Sequence, residues 1–516
     1  MINIIVELSK YLLLAFMLLF TIFTYTAMRA KTASARSDST RAQLVFMLLF
    51  NFLAYAVIFL QKPEPAILII YAGITLYMLL VNLVYHLAYK KASVILINTM
   101  CMLISIGLVI ITRLDVDDAY KQLVIAIGAT VISFFIPIII RKAKIFSKWG
   151  LFFAILGILL LAAVFVLGRV YGGSRLYLEF HGITFQLSEF VKLTFVFFIA
   201  GMLYHSTSFK QVFFVTVLAA IHVVILVAST DLGAGLVYFV AYMVMVCVAT
   251  RKIRYAVLGL GGMAGASVVA YRLFSHVRVR VSVWRDPVAD YQDTGYQIVQ
   301  ALLSICAGGW FGTGLLRGSP DMVPLVERDF TFAAICEELG ILFAICLILL
   351  CMVAFLIIMN IAVKLDNDFY KLIALGFGTE YAFQVFLTIG GTVKLIPMTG
   401  ITLPLVSYGG SSITCTIFMF AIIQGLYIMR TDVDDSYYDD TTFYEPEPET
   451  GPAEGTSASA YEFTHDQLEE QIAKENAYRT QENGSAAART NQYIPGEETE
   501  EFERRIIKEA ENSINS

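Results

Sequence analysis

"VPLVERDFTFAAICEELG", residues 323–340, sets Glu327, Arg328 and Asp329 against an apolar run that holds two more acids, Glu337 and Glu338. Charges at or inside a bilayer are costly and persist where they pair or act. The surroundings of this stretch decide the fold. Of 516 residues, 58% are hydrophobic and 15% charged, against about 25% charged in soluble domains. Apolar runs of roughly 18 residues or more recur along the chain, each enough to cross a bilayer as a helix. The expected fold class is an all-α polytopic membrane protein. The alternation of a membrane β-barrel is missing from the sequence.

Thirteen windows qualify as spans. Three lead, at 6–28, 43–61 and 66–88. The others are 93–112, 122–140, 149–168, 188–204, 211–229, 232–250, 255–273, 331–361, 372–391 and 404–429. "ASTDLGAG", around Thr230, reads as a tight turn or a helix break. With the N-terminus outside, "RAKTASARSDSTR", "YKK", "RKAKIFSK", "TRKIR" and "MRTD" all fall in the cytoplasm, as the positive-inside rule asks. The outer connections are then "QKPEP", "RLDVDDAY" and the long 274–330 segment, with "HVRVRVSVWR" the main basic exception. The opening "MINIIVELSKYLLLAFMLLF" lacks a basic leader and a small-residue cleavage site, so it is read as a retained span.

The net charge of −5 hides an uneven distribution, with bases in short loops and acids crowded past Arg430. That tail is acidic and rich in Pro, Gly and Ser, and cannot bury enough apolar surface to fold alone. Its stretches "HDQLEEQIAKENAYR" and "EEFERRIIKEA" are candidates for helices formed on binding. The expected division is 1–92, 93–430 and a disordered cytoplasmic 431–516.

Other chemistries find little support. The seven cysteines show no CxxC spacing and fall mostly in apolar runs, as packing residues do. The six histidines form no HExxH, and no metal site is predicted. "GGWFGTGLLRG", 308–318, spaces its glycines as GxGxxxG with no strand before them, and is expected to be a flexible re-entrant loop. In the 274–330 segment, Trp284, Tyr291, Tyr296 and Trp310 offer faces for sugars, and Gln297 and Gln300 offer hydrogen bonds. By residue type alone, Asp329 reads first as an N-cap for a helix starting at Phe330.

Five stretches, in order, resemble the signature elements of the SEDS family (FtsW/RodA/SpoVE). They are "GSRLYLEFHGITFQLSEFVK", "TDLGAG", "RVSVWRDPVADYQDTGYQ" with "GGWFGTG", "PLVERDFTFAAICEELG" and "KLIPMTGITLPLVSYGGSS". The likeness runs over about residues 93–430, the ten-span core of that family, and leaves out the three leading spans and the tail. Departures surround the family's acid. Glu327 and Arg328 replace its His and Thr, Ser229 and Thr230 replace Gln-Pro, and Leu187 stands for Pro in Gln-Pro-Ser-Glu. Ser174 and Tyr177 stand where the family has Ala and Trp.

The resemblance implies a peptidoglycan glycosyltransferase that polymerises lipid II at the outer face of the bacterial cytoplasmic membrane, inverting at the anomeric carbon. It makes Asp329 the catalytic acid: a carboxylate in reach of the attacking sugar hydroxyl takes its proton. For the anionic leaving group the candidate cations are Arg280, Arg328, Arg175, Lys192 and Lys394. The plainer alternatives are an interfacial anchor for Arg280 and an ion pair with Glu189 for Lys192. Glu337 and Glu338 have three open roles: an ion pair within the bundle, orientation of Arg328, or a hold on a divalent cation, the one cofactor in view. "SYGGSS", 407–412, reads as close helix packing. A class B penicillin-binding protein is the implied partner, with other division or elongation proteins on the tail and no nucleic acid. The rival readings are a lipid II flippase, for which the chain shows no repeats of broken helices, and a scaffold of the wall-synthesis machinery, which leaves the acid unexplained.

Overall fold

The computed structural model describes residues 2–171, 174–180, 183–291 and 295–439. The proposed tail helices lie outside the described residues. Three helices lead: α1 (Ile2–Arg29), α2 (Ala33–Gln61) and α3 (Pro65–Ala88). Then come α4 (Val94–Leu114), α5 (Val116–Ser133), α6 (Ile136–Arg141), a 3₁₀ turn at Ala143–Trp149, and α7 (Gly150–Leu167). An antiparallel sheet follows, β1 (Arg169–Tyr171), β2 (Ser174–Phe180) and β3 (Ile183–Gln186), in that spatial order. The rest is helical: α8 (Leu187–His205), α9 (Phe209–Ala228), α10 (Leu232–Thr250), α11 (Arg254–Leu273), α12 (Ser275–Arg285) and α13 (Tyr296–Gly308). The last are α14 (Thr331–Leu339), α15 (Ile341–Lys364), α16 (Asp368–Thr392) and α17 (Gly410–Asp439).

Thirteen spans among the described residues are long and apolar enough to cross a membrane, as the hydropathy pattern predicts. One of them is α5 with α6. Pro137 has no N–H to give Ser133 and its ring crowds that carbonyl, so the helix breaks at Phe134 and Phe135. The Tyr89 hydroxyl donates to the Phe134 carbonyl at the break. The small sheet was not expected. Its residues, rich in Tyr, Phe, Ile and Thr, suit a pleated half-exposed surface better than a helix.

Four expectations need correction. The window 331–361 is two helices, α14 and α15, parted at Gly340, whose φ of +90° suits glycine. The 274–330 connection contains two helices, α12 and α13. "RAKTASARSDSTR" is mostly the first turns of α2, capped by Thr32. The glycine loop is fastened at both ends of the α14–α15 break rather than loose. Thr313 and Gly314 donate to the last carbonyls of α14, Glu337 and Glu338, both at 2.9 Å. The first amides of α15, Ile341 and Leu342, donate to Gly309 and Trp310 at 3.0 and 3.2 Å. The loop supplies partners that helix ends otherwise lack. A Cβ at Gly312 would sit 2.3 Å from the Glu338 carbonyl, so this docking needs glycine.

α4 is buried along nearly its whole length, whereas α11 buries none of its residues. The leading helices pack on this core: α1 meets α15, α2 meets α4, and α3 meets α5. Polar pairs join them. Asn98 donates to Gln43 at 3.1 Å, Ser105 to Asn51 at 3.1 Å, and Tyr77 meets Thr130 at 3.0 Å. Such interhelical bonds contribute about 0.6 kcal/mol each on average.

Candidate functional site

Between α5, the β3–α8 junction, the N-terminus of α10, the turn before α14 and the segment leading into α17 lies a cavity of about 430 Å³. Asp329 stands in its wall, held by a turn the sequence fixes closely. The Arg328 and Asp329 amides both donate to the Leu325 carbonyl, at 3.0 and 3.1 Å. Thr331 Oγ1 donates to the Val326 and Glu327 carbonyls at 3.0 and 2.9 Å. The Tyr408 amide reaches the Glu327 carbonyl at 2.7 Å, so the "SYGGSS" segment buttresses the same turn. Capping does not explain Asp329. The N-cap of α14 is Phe330, with no side-chain capping bond, so the helix begins one residue later than expected.

Two charges face Gly400, whose φ of +75° suits glycine. A Cβ there would stand 3.8 Å from Asp329 Oδ2 and 3.9 Å from Arg280 Nη2. Arg280 comes from α12 and donates to the Thr399 carbonyl at 3.1 Å. One turn along α12, Trp284 Nε1 donates to the Lys394 carbonyl at 3.2 Å, so one helix face docks on the turn after α16 and aims Arg280. Burial lifts the Asp329 carboxyl from its ordinary value to about 6, against the pull of Arg328 and Arg280.

The cavity gathers part of the sequence-based set. Asp329, Arg328 and Lys192 line it, with Arg280 behind Gly400. Arg328 lies 3.7 Å from Glu327 and over the Tyr408 ring. Lys192 makes both the ion pair with Glu189, at 2.7 Å, and a bond to Gln384 at 2.8 Å. Arg175 is on β2, and its side chain lies outside the described part of the structure. Lys394, Trp284, Tyr296 and Gln297 do not line the cavity. Lys394 reaches toward the Arg285 carbonyl, and Tyr296 packs on Tyr291. "SYGGSS" also departs from the packing expectation, because Tyr408 to Ser412 form cavity wall.

Glu337 and Glu338 are not at the cavity, and neither reaches Arg328. Glu338 Oε1 accepts from Arg113 Nε at 2.7 Å and from the Leu316 amide at 3.0 Å. Glu337 Oε1 accepts from the Ser319 amide at 2.6 Å. Buried Arg113 also grips both oxygens of Asp321, at 2.7 and 2.9 Å, and the Gly318 carbonyl. Of the three open roles, the ion pair within the bundle is the one Glu338 takes, while Glu337 is held by a backbone amide.

Several cavity residues escaped the sequence reading. Asp231 caps α10 through the Ala234 amide, accepts from Ser188 at 3.2 Å, and lines the cavity. It belongs to "TDLGAG", which reads as a tight turn in the structure, with Thr230 at φ +64°. Glu380 does not line this cavity but is buried near Lys192, and was visible as an acid inside a span, a functional signal by default. Lys121 and Tyr120, at the start of α5, were read as loop.

Three comparisons bear on this site. A family model for cell cycle proteins, FTSW_RODA_SPOVE, matches residues 87–431. The peptidoglycan glycosyltransferase RodA of Mycobacterium tuberculosis H37Rv is 33% identical over 376 residues, covering 66% of this chain and 79% of its own. Stage V sporulation protein E of Bacillus subtilis is 30% identical over 361 residues, covering 65% and 97%. Among solved structures, a chain of a peptidoglycan synthase complex that coordinates polymerisation and crosslinking aligns with a TM-score of 0.57 at 24% identity, over 66% of this chain and 98% of its own. RodA of Thermus thermophilus aligns with a TM-score of 0.51 at 24% identity, over 66% and 99%. These structural likenesses bear on the fold.

Proposed function

The chain belongs to the FtsW/RodA/SpoVE family, and on that premise we propose how its cavity works. It is a multi-pass membrane protein and a peptidoglycan glycosyltransferase of elongation, division or sporulation. Its substrate is lipid II and the growing lipid-linked strand. The 4-hydroxyl of one sugar attacks the anomeric carbon of the other, the bond to the lipid pyrophosphate breaks, and the configuration inverts. Asp329 takes the hydroxyl proton, a step for which a carboxyl raised to about 6 is well matched near neutral pH. Arg280 and Arg328 balance the charge of the departing pyrophosphate, with guanidinium forks suited to phosphate oxygens. The observation that carries the reading is the placement of half-buried Asp329 on the cavity wall, within the electrostatic reach of Arg280 and Arg328.

Residues 93–430 are assigned as the catalytic core, with 1–92 as leading helices and 431–516 as a regulatory tail. The first turns of α1 meet the 311–317 loop, so the N-terminal end and the segment entering Asp329 share one side of the bundle. We assign that side to the exterior, on the loop charges, and the tail to the cytoplasm of a bacterial cell. A class B penicillin-binding protein is the partner that would crosslink the strands. The test is incubation of purified protein with labelled lipid II, with and without such a partner. Glycan strands are expected. Movement of lipid II across vesicles, with no strands under either condition, would point to a transporter instead.

A further inference from the structure

Three leading helices stand ahead of the catalytic core, and the first two, α1 and α2, touch the loop that fastens α14. On α1, Glu7 pairs with Arg317 at 2.6 Å, and Lys10 donates to the Gly312 carbonyl at 3.2 Å. Tyr11 packs on Phe311, with 5.4 Å between ring centroids. At the end of α2, Gln61 Nε2 donates to the Leu315 carbonyl at 2.8 Å. From the other side, the same loop gives four amides to the far end of α14. Thr313 and Gly314 bind the Glu337 and Glu338 carbonyls, and Leu316 and Ser319 bind their carboxylates.

The loop therefore lies between the leading helices and the helix that Asp329 introduces. α14 has nine residues, so it is a rod of about 13 Å, and a shift at one end is delivered to the other. Misplacement of a reacting group by about 1 Å can cost on the order of a hundredfold in rate. A single clasp contact is exposed enough to add little to stability, yet it restrains the loop.

We propose that the leading helices form a clasp that sets the position of Asp329, with Glu7, Lys10 and Gln61 as positioning residues. They act through the loop and α14 and touch no substrate. The inference rests on the assignment of Asp329 as the catalytic acid. It makes the leading helices part of the catalytic apparatus rather than an appended anchor.

The test is a charge swap in the full-length protein: Glu7→Arg, Arg317→Glu, and both together. Each single variant is expected to lower kcat for strand synthesis about three- to tenfold, the range of couplings carried through a packed network. KM for lipid II and the thermal midpoint should hold, and the double variant should regain part of the rate, because the Glu7–Lys10 pair stays broken in it. Gln61→Leu, at an independent contact, should show the same loss confined to kcat. Unchanged kcat in the single variants, a loss expressed in KM, a loss that follows the thermal midpoint, or no recovery in the double variant would each overturn the clasp. Hydrogen exchange at the amides of residues 313–319 separates the clasp from the activity. It should quicken in the single variants and recover in the double, even if wild-type protein makes no strands. Unchanged exchange would overturn the proposal by itself.

Discussion

At the C-terminal end of α14, Glu338 meets Arg113 at 2.7 Å and the Leu316 amide at 3.0 Å, fully buried. Just before the N-terminal end, Asp329 lines a cavity, with Arg280 near the same Gly400. Burial raises both carboxyls, Asp329 to about 6 and Glu338 to about 7, so position and partners separate them rather than acidity. In "RDFTFAAICEELG" these acids look interchangeable. The difference is in the surroundings: an ion pair closes over one, and the other lines a cavity. An acid on a cavity wall is the candidate for chemistry, and an acid closed over by a fixed partner is not.

The largest effect that would break this contrast is on Asp329. Asp329→Asn should reduce strand synthesis by about 10²–10⁴-fold, the usual contribution of a positioned general base. The variant should be at least as stable as wild type at neutral pH. A carboxyl whose pKa is raised on folding binds its proton more tightly in the folded state, so its charged form costs stability above that pKa. A capping role would instead predict a loss of about 0.5–2 kcal/mol.

Arg113→Met attacks the other end. It strands buried Glu338 without its partner, and breaking a buried pair in this way costs about 3–5 kcal/mol. Thermal unfolding in detergent should show a large drop, and Arg113→Lys should recover part of it, since a lysine keeps the charge but loses the fork.

A smaller effect sharpens the contrast by pH. The carboxylate form of Asp329 accepts the proton, so kcat/KM should be flat above its pKa of about 6 and fall about tenfold per unit below it. The Asp329→Asn residual activity should lack that limb. Smallest of all, Glu327→Gln and removal of residues 436–516 should each leave strand synthesis within about a few-fold of wild type. Glu327 pairs only loosely with Arg328, at 3.7 Å, and charge pairs of this exposure contribute about 0–1 kcal/mol.

Much of this was legible in the chain. Hydropathy located thirteen spans because each run is long and apolar enough to need a bilayer. The motif order led to Asp329, Arg280, Arg328 and Lys192. The sequence was silent on pairing across long separations. Arg113 sits in "RLDVDDAY" as one more loop charge, and its partner Glu338 lies 225 residues away. Trp284 looked like a sugar platform, because an aromatic in a polar loop carries no mark of the carbonyl it will bind. The break at Gly340 was hidden because the apolar run that starts at Ile341 follows directly on Thr331–Leu339, and only the backbone angle tells.

The central claim is the division of labour between the two ends of α14, and one paired measurement tests it most directly. Asp329→Asn and Glu338→Gln are purified side by side, and thermal midpoint and glycan synthesis per folded molecule are read on the same preparations. The account predicts an intact midpoint and no strands for Asp329→Asn. For Glu338→Gln it predicts strands still made, because that side chain touches Arg113 and the Leu316 amide and does not line the cavity. Near wild-type strand synthesis by a stable Asp329→Asn protein would contradict it.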